Sequence, residues 1–146
     1  MKNQILTIAI ILFGILPFTN LYAQDLTPAQ VENSIKKEGK YALLAQNSMH
    51  FQASVMTGER YKTKYPEIQF EIVLIGPIVK ELAEDENLKP FVETAKKFGI
   101  RITVCEFAMQ KLGIQKSQYD ASIRTTPNGF TYVFGLMENG FKTISL

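Results

Sequence analysis

The chain has 146 residues, with 16 Lys and Arg against 14 Asp and Glu, one His and one Cys. That length allows one domain with a real core. The charges are interspersed, with no basic stripe to follow a phosphate backbone, which argues against nucleic acid as a partner. One His and one Cys fall short of a tetrahedral ligand set, so neither a metal nor a cofactor is expected.

Residues 1–23 read as a signal peptide. Lys2 supplies a basic n-region, and residues 5–18 form an apolar stretch too short to span a bilayer comfortably. Leu21-Tyr22-Ala23 then offers a small residue for cleavage before Gln24. An uncleaved membrane anchor is the alternative. Cleavage would leave 146 − 23 = 123 residues with 16 − 1 = 15 basic and 14 acidic groups, and no further apolar run of membrane length. The expected location is periplasmic or secreted. A lone cysteine there cannot form an internal disulfide; it is a thiol, an intermolecular partner or a modified sulfur.

Residues 24–39 are expected to form an N-terminal helix or arm, with Thr27 as cap and Pro28 in the first turn. Residues 40–146 form the folded domain. Residues 40–46 are apolar on nearly consecutive positions, as in a central strand covered on both faces. Asn47-Ser48 breaks that strand and can cap a helix over 49–64, where Phe51, Val55 and a Met49/Ala53/Met56 set recur at helical spacing and Gly58 weakens the end. Residues 68–75 are a second strand, stopped at Gly76-Pro77; Ile78, Val79 and Leu82 give the next short helix its apolar side. Leu88, Phe91, Val92, Ala95 and Phe98 make the clearest helical stripe, ended by Gly99.

A β-branched strand over 100–105 follows and finishes on Cys105, with a short helix over 106–112. A brief fourth strand is expected over 121–124. Thr126-Pro127 opens a helix with Phe130, Val133, Phe134 and Met137 on one face, read as core or subunit contact. Residues 141–146 alternate as an edge strand. Near-continuously apolar strands separated by helices imply an α/β three-layer sandwich with a five-stranded, mainly parallel sheet and right-handed crossovers.

In such a sheet the carboxyl ends of the strands share the edge where ligands bind. The segments expected to meet there are 47–50, Gly76-Pro77, Cys105-Glu106 and Thr125-Thr126. Cys105 would be favoured as a thiolate by the helix that starts directly after it, while the Glu106 carboxylate works against a second negative charge. The other reading of Cys105 is a small buried apolar residue. His50 is a candidate proton donor or thiolate partner, or a half-exposed helix-start histidine. Asn47 can donate its amide to a ligand or cap the first domain helix. Gly76-Pro77 would let the backbone turn tightly beside the site. No Ser-His-Asp order or phosphate loop is present to support a hydrolase or a nucleotide enzyme.

Four segments together resemble the DsrE/DsrF-like (YchN-like) proteins of sulfur relay systems, particularly their secreted members. These are Leu43-Leu44-Ala45-Gln46-Asn47, Glu71-Ile72-Val73-Leu74-Ile75-Gly76-Pro77, Phe98-Gly99-Ile100-Arg101-Ile102-Thr103-Val104-Cys105, and Asn128-Gly129-Phe130 with Leu136 and Asn139-Gly140-Phe141. The resemblance runs from Tyr41 onward. It implies a five-stranded parallel sandwich that assembles as a homo-oligomer, trimer or hexamer, with Cys105 carrying sulfane sulfur and passing it to a sulfur-transfer partner. That is a carrier rather than an enzyme with its own turnover. The chain departs from the secreted group in having Glu106-Phe107-Ala108 after the cysteine in place of polar residues. The competing expectation is a non-catalytic oligomeric ligand-binding or scaffold domain with an inert cysteine.

Overall fold

A computed structural model describes residues 25–146, so the expected signal peptide over 1–23 lies outside the described residues. Contacts divide the chain into a unit ending at Ser34 and a unit from Ile35 to Leu146. In the first, helix α1 (Pro28–Asn33) starts at Thr27, whose hydroxyl accepts from the Gln30 N–H while the Gln30 side chain accepts from the Thr27 N–H at 2.8 Å. Two otherwise orphaned donors are satisfied reciprocally, and Pro28 sits where no N–H is needed.

The second unit runs β1 (Lys40–Ala45), α2 (Ser48–Lys64), β2 (Gln69–Leu74), α3 (Ile78–Glu84), α4 (Lys89–Phe98), β3 (Arg101–Cys105), α5 (Glu106–Leu112), β4 (Arg124–Thr126), α6 (Gly129–Glu138) and β5 (Lys142–Ser145). The sheet order is β4-β3-β2-β1-β5 with every neighbouring pair parallel. The crossovers from β1 through β4 all step one way across the sheet, so right-handed connections put α2 to α5 on one face. The return from β4 to β5 runs the other way and puts α6 on the opposite face. The larger core lies under the first set, joining Phe70, Ile72 and Leu74 of β2 to Phe51, Val55, Ile78, Val92 and Met109. The smaller core lies under α6, where Ala42, Leu44, Val73, Ile75 and Cys105 meet Leu136 and Phe141. No described helix is long and apolar enough to cross a membrane.

Four expectations need correction. The fourth strand begins at Arg124, not at 121, because the Asp120 carboxylate accepts from the Ser122 N–H at 2.8 Å and the Asp120 carbonyl from the Ile123 N–H at 3.0 Å. Those residues are consumed in a turn. Thr126 then belongs to β4, and α6 is capped by Asn128, whose Oδ1 accepts from the N–H groups of Phe130 and Thr131. On α2, Gly58 is a packing residue: a Cβ there would lie 2.8 Å from Ile100 and 2.9 Å from Phe70, and Met49 and Met56 are exposed. On α6, Phe130, Phe134 and Met137 are exposed as well, so they are not core of this chain; Leu136 and Gly129 are the buried positions.

Tyr119 ties α3 to the loop before β4. Its buried hydroxyl donates to the Val79 carbonyl at 2.6 Å, and burial pushes the phenol above its ordinary value of about 10. Above that pH the unfolded chain releases a proton the native chain retains, so this contribution to stability is complete below pH ~10 and is lost as pH rises further. Tyr119→Phe is expected to cost about 1 kcal/mol at neutral pH and to flatten the alkaline decline. Urea midpoints at about pH 8 and about pH 10.5 check it; parallel declines for the two proteins would exclude Tyr119 as a source.

Candidate functional site

Side chains alternate along a strand, so Arg101, Thr103 and Cys105 of β3 share the α6 face of the sheet. The register sets Glu71 opposite Arg101 and Val73 opposite Thr103 on one side, and Arg124 opposite Thr103 and Thr126 opposite Cys105 on the other. A polar cluster and a thiol therefore lie on one surface, two pleats apart.

The thiol is at the carboxyl end. Cys105 is 5% exposed and packs within the smaller core. It is the residue from which α5 starts, yet its side chain makes no capping bond to α5. No amide of α5, the helix expected to favour the thiolate, donates to the sulfur. Instead Sγ accepts from the Gly129 N–H at 3.3 Å, the first amide of α6. With Asn128 Oδ1 taking the next two amides, the three N–H groups that precede the first intrahelical bond of α6 (Tyr132 N–H to the Asn128 carbonyl, 3.0 Å) are all satisfied, one of them by sulfur. The approach requires glycine: a Cβ on Gly129 would stand 2.6 Å from Ile75 Cγ2 and 3.2 Å from Cys105 Cβ.

Cys105 borders a cavity of about 440 Å³, together with Gln46, Gly76, Phe107, Lys111 and Phe130. Gly76 has φ +66° where the chain turns from β2 toward α3, a conformation that glycine adopts without penalty. Lys111 is the cation of an otherwise largely apolar lining, and its ammonium lies 5.5 Å from the Phe107 ring centroid.

Of the residues singled out from sequence, Cys105 and Gly76 share this cavity. Asn47, His50, Pro77 and Glu106 are not in its lining. Asn47 caps α2, its Oδ1 accepting from the His50 N–H at 2.9 Å, and its Nδ2 lies 3.2 Å from His50 Nδ1. Pro77 is an exposed residue at the start of α3, and half-exposed Glu106 opens α5. Gln46, Phe107, Lys111, Asn128 and Phe130 border the cavity without having been expected there. Gln46 and Asn128 could have been found by asking what flanks each strand end.

Sequence reasoning also passed over Glu71, a carboxylate in the middle of an apolar central strand. It is 0% exposed. One oxygen accepts from Arg101 Nε at 2.9 Å; the other accepts from Thr103 Oγ1 at 2.8 Å, Arg124 Nη2 at 2.5 Å and the Tyr132 hydroxyl at 2.7 Å. The signal was present: a buried charge must find partners, and Arg101 and Arg124 open the next two strands. Burial first, and then the Glu71 carboxylate, raise the Tyr132 phenol above its ordinary range.

No protein-family model and no curated protein matches the chain by sequence. Solved structures do match its fold. The YchN protein of E. coli superposes with a TM-score of 0.64 at 10% identity, covering 74% of this chain and 99% of that one. A protein of unknown function from Methanobacterium thermoautotrophicum, MTH1491, gives 0.63 at 12% identity, over 73% and 96%. A conserved protein of unknown function from Bacteroides thetaiotaomicron, BT1422, gives 0.62 at 20% identity, over 78% and 100%. The chain has the YchN-like α/β fold with an all-parallel five-stranded sheet.

Proposed function

We propose that this protein is an exported sulfur carrier in which Cys105 holds a persulfide. The carrying observation is that the single thiol borders a cavity at the carboxyl edge of the sheet and accepts an amide N–H there. The thiolate attacks a terminal sulfur of a polysulfide; the S–S bond behind that atom breaks, and the chain shortened by one sulfur leaves with the electron pair. The resulting Cys105 persulfide is an anion, for which Lys111 in the same lining is the available cation. An acceptor thiolate on a sulfur-transfer partner then removes the outer sulfur and returns Cys105 to thiolate.

The working unit is a homo-oligomer, trimer or hexamer. Within the second unit one ten-residue helix, α6, lies on its face of a five-stranded sheet, and that helix turns Phe130, Phe134 and Met137 outward, with Phe130 sharing the mouth of the Cys105 cavity with exposed Phe107 of α5. Adjacent exposed aromatics of this kind mark an interaction surface.

Burial of Cys105 against Val73, Ile75 and Leu136 supports the competing reading, an inert cysteine in an oligomeric binding or scaffold protein. Native mass spectrometry after incubation with polysulfide separates them. The expected species is an oligomer carrying about 32 Da, one sulfur atom, per subunit, absent from Cys105→Ala. Wild type without the adduct would sink the carrier reading, and a monomer would sink the assembly.

A further inference from the structure

The polar cluster at the other end of the α6 face opens into a cleft of about 710 Å³. Its walls carry three cations, Lys40, Arg101 and Arg124, against one acid, Glu71. The acid is fully inside, and of the two guanidinium groups it engages only Nε of Arg101 and Nη2 of Arg124. The Nη groups of Arg101, and Nε and Nη1 of Arg124, have no hydrogen-bond partner among the described residues, and the two side chains are 40% and 47% exposed. A guanidinium offers five N–H donors in a planar fork, so each arginine is anchored by part of its fork and keeps the remaining donors open to solvent or a ligand.

One wall is apolar. Phe141 holds the Lys40 ammonium 5.8 Å and the Arg101 guanidinium 5.6 Å from its ring centroid, and Leu136 adjoins it in the lining; both belong to the smaller core and show the cleft only an edge, each being 8% exposed. The Tyr132 hydroxyl, which donates to Glu71 and accepts from Arg124 at 3.0 Å, fixes the Arg124 head group. Surplus positive charge, pre-oriented donors and an apolar wall in a cleft of small-molecule size form a built site.

We propose that this cleft binds a small organic acid, its anionic head group held by the outer N–H groups of Arg101 and Arg124 with Lys40, and its apolar body lying against Phe141 and Leu136. Glu71 is the positioning residue: it orients both guanidinium groups and, as an anion, also weakens the field they present. The cleft meets the cavity that Cys105 borders at Asn128, but none of its charged residues lines that cavity, and the proposal stands or falls independently of the carrier reading.

Isothermal titration calorimetry of the folded protein with benzoate, benzenesulfonate and inorganic sulfate, at one ionic strength, tests it. Both aromatic acids are expected to bind, sulfate at least about fivefold more weakly because it leaves the apolar wall empty. Glu71→Gln removes the competing anion and is expected to tighten both aromatic acids about fivefold, which a purely structural ion pair would not do. Lys40, which makes no bond to Glu71, provides a second variant that leaves the cluster intact; Lys40→Gln is expected to weaken binding about threefold. Cys105→Ala should bind like wild type. Absence of binding to both aromatic acids at about 10 mM, sulfate binding as well as benzenesulfonate, or unchanged affinity in Lys40→Gln would each overturn the proposal.

Discussion

Replacing both Arg101 and Arg124 by alanine is expected to destabilise the protein by about 4 kcal/mol, and adding Glu71→Ala to that double variant is expected to restore part of the loss. The order is counterintuitive, because the third substitution deletes a further side chain from the core. Glu71 is 0% exposed, so it cannot rehydrate when its cations are gone, and Thr103 and Tyr132 alone supply neutral donors. The arginines are nearly half exposed and lose much less when the carboxylate is the group removed. Urea unfolding of the wild type, the double variant and the triple variant measures the coupling directly. A triple variant less stable than the double would mean that Glu71 is held by its packing volume, and that its charge matters little.

Gly129→Ala is expected to cost about 2 kcal/mol and to speed alkylation of Cys105 in the folded protein by about tenfold. A methyl group at 129 has nowhere to go: Ile75 Cγ2, just past the end of β2, would be 2.6 Å away and Cys105 Cβ, at the end of β3, 3.2 Å away. The start of α6 must therefore lift, taking with it the N–H that binds Sγ and opening the cavity. Gly135, six positions along the same helix, is exposed, and a methyl group there would meet nothing within 4 Å. Gly135→Ala should instead stabilise by up to about 1 kcal/mol through helix propensity alone. Thermal unfolding and iodoacetamide labelling of the two variants side by side check the pair. Equal labelling of Gly129→Ala and wild type would mean that α6 does not guard the thiol.

The positions of nearly all the elements were legible in the residues, because they are dictated locally. Gly99 ends α4 in a left-handed conformation with φ +65°, Asn47 caps α2, and the apolar runs over β1, β2 and β3 must be covered on both faces wherever they sit. Alternation of strand and helix then limits the fold to a parallel sheet between helical layers. The same reasoning misplaced β4 by three residues, since a polar turn at Asp120 and a short strand after it leave almost no periodicity to read.

Helix orientation and the site were settled only in three dimensions. The stripe Phe130, Phe134 and Met137 is apolar enough for a core, but it is Gly129 that faces the sheet, because close approach to Ile75 and Cys105 demands a residue without a side chain there, and Leu136, seven positions on, packs on the same side. Likewise Glu71, Arg101, Arg124 and Tyr132 lie in four separate elements, and only the parallel register and the return of α6 across the sheet bring their charges together. Local sequence determines which backbone conformation each segment can adopt at low free energy; which side chains then share a cavity depends on contacts between segments dozens of residues apart, and no local pattern encodes them.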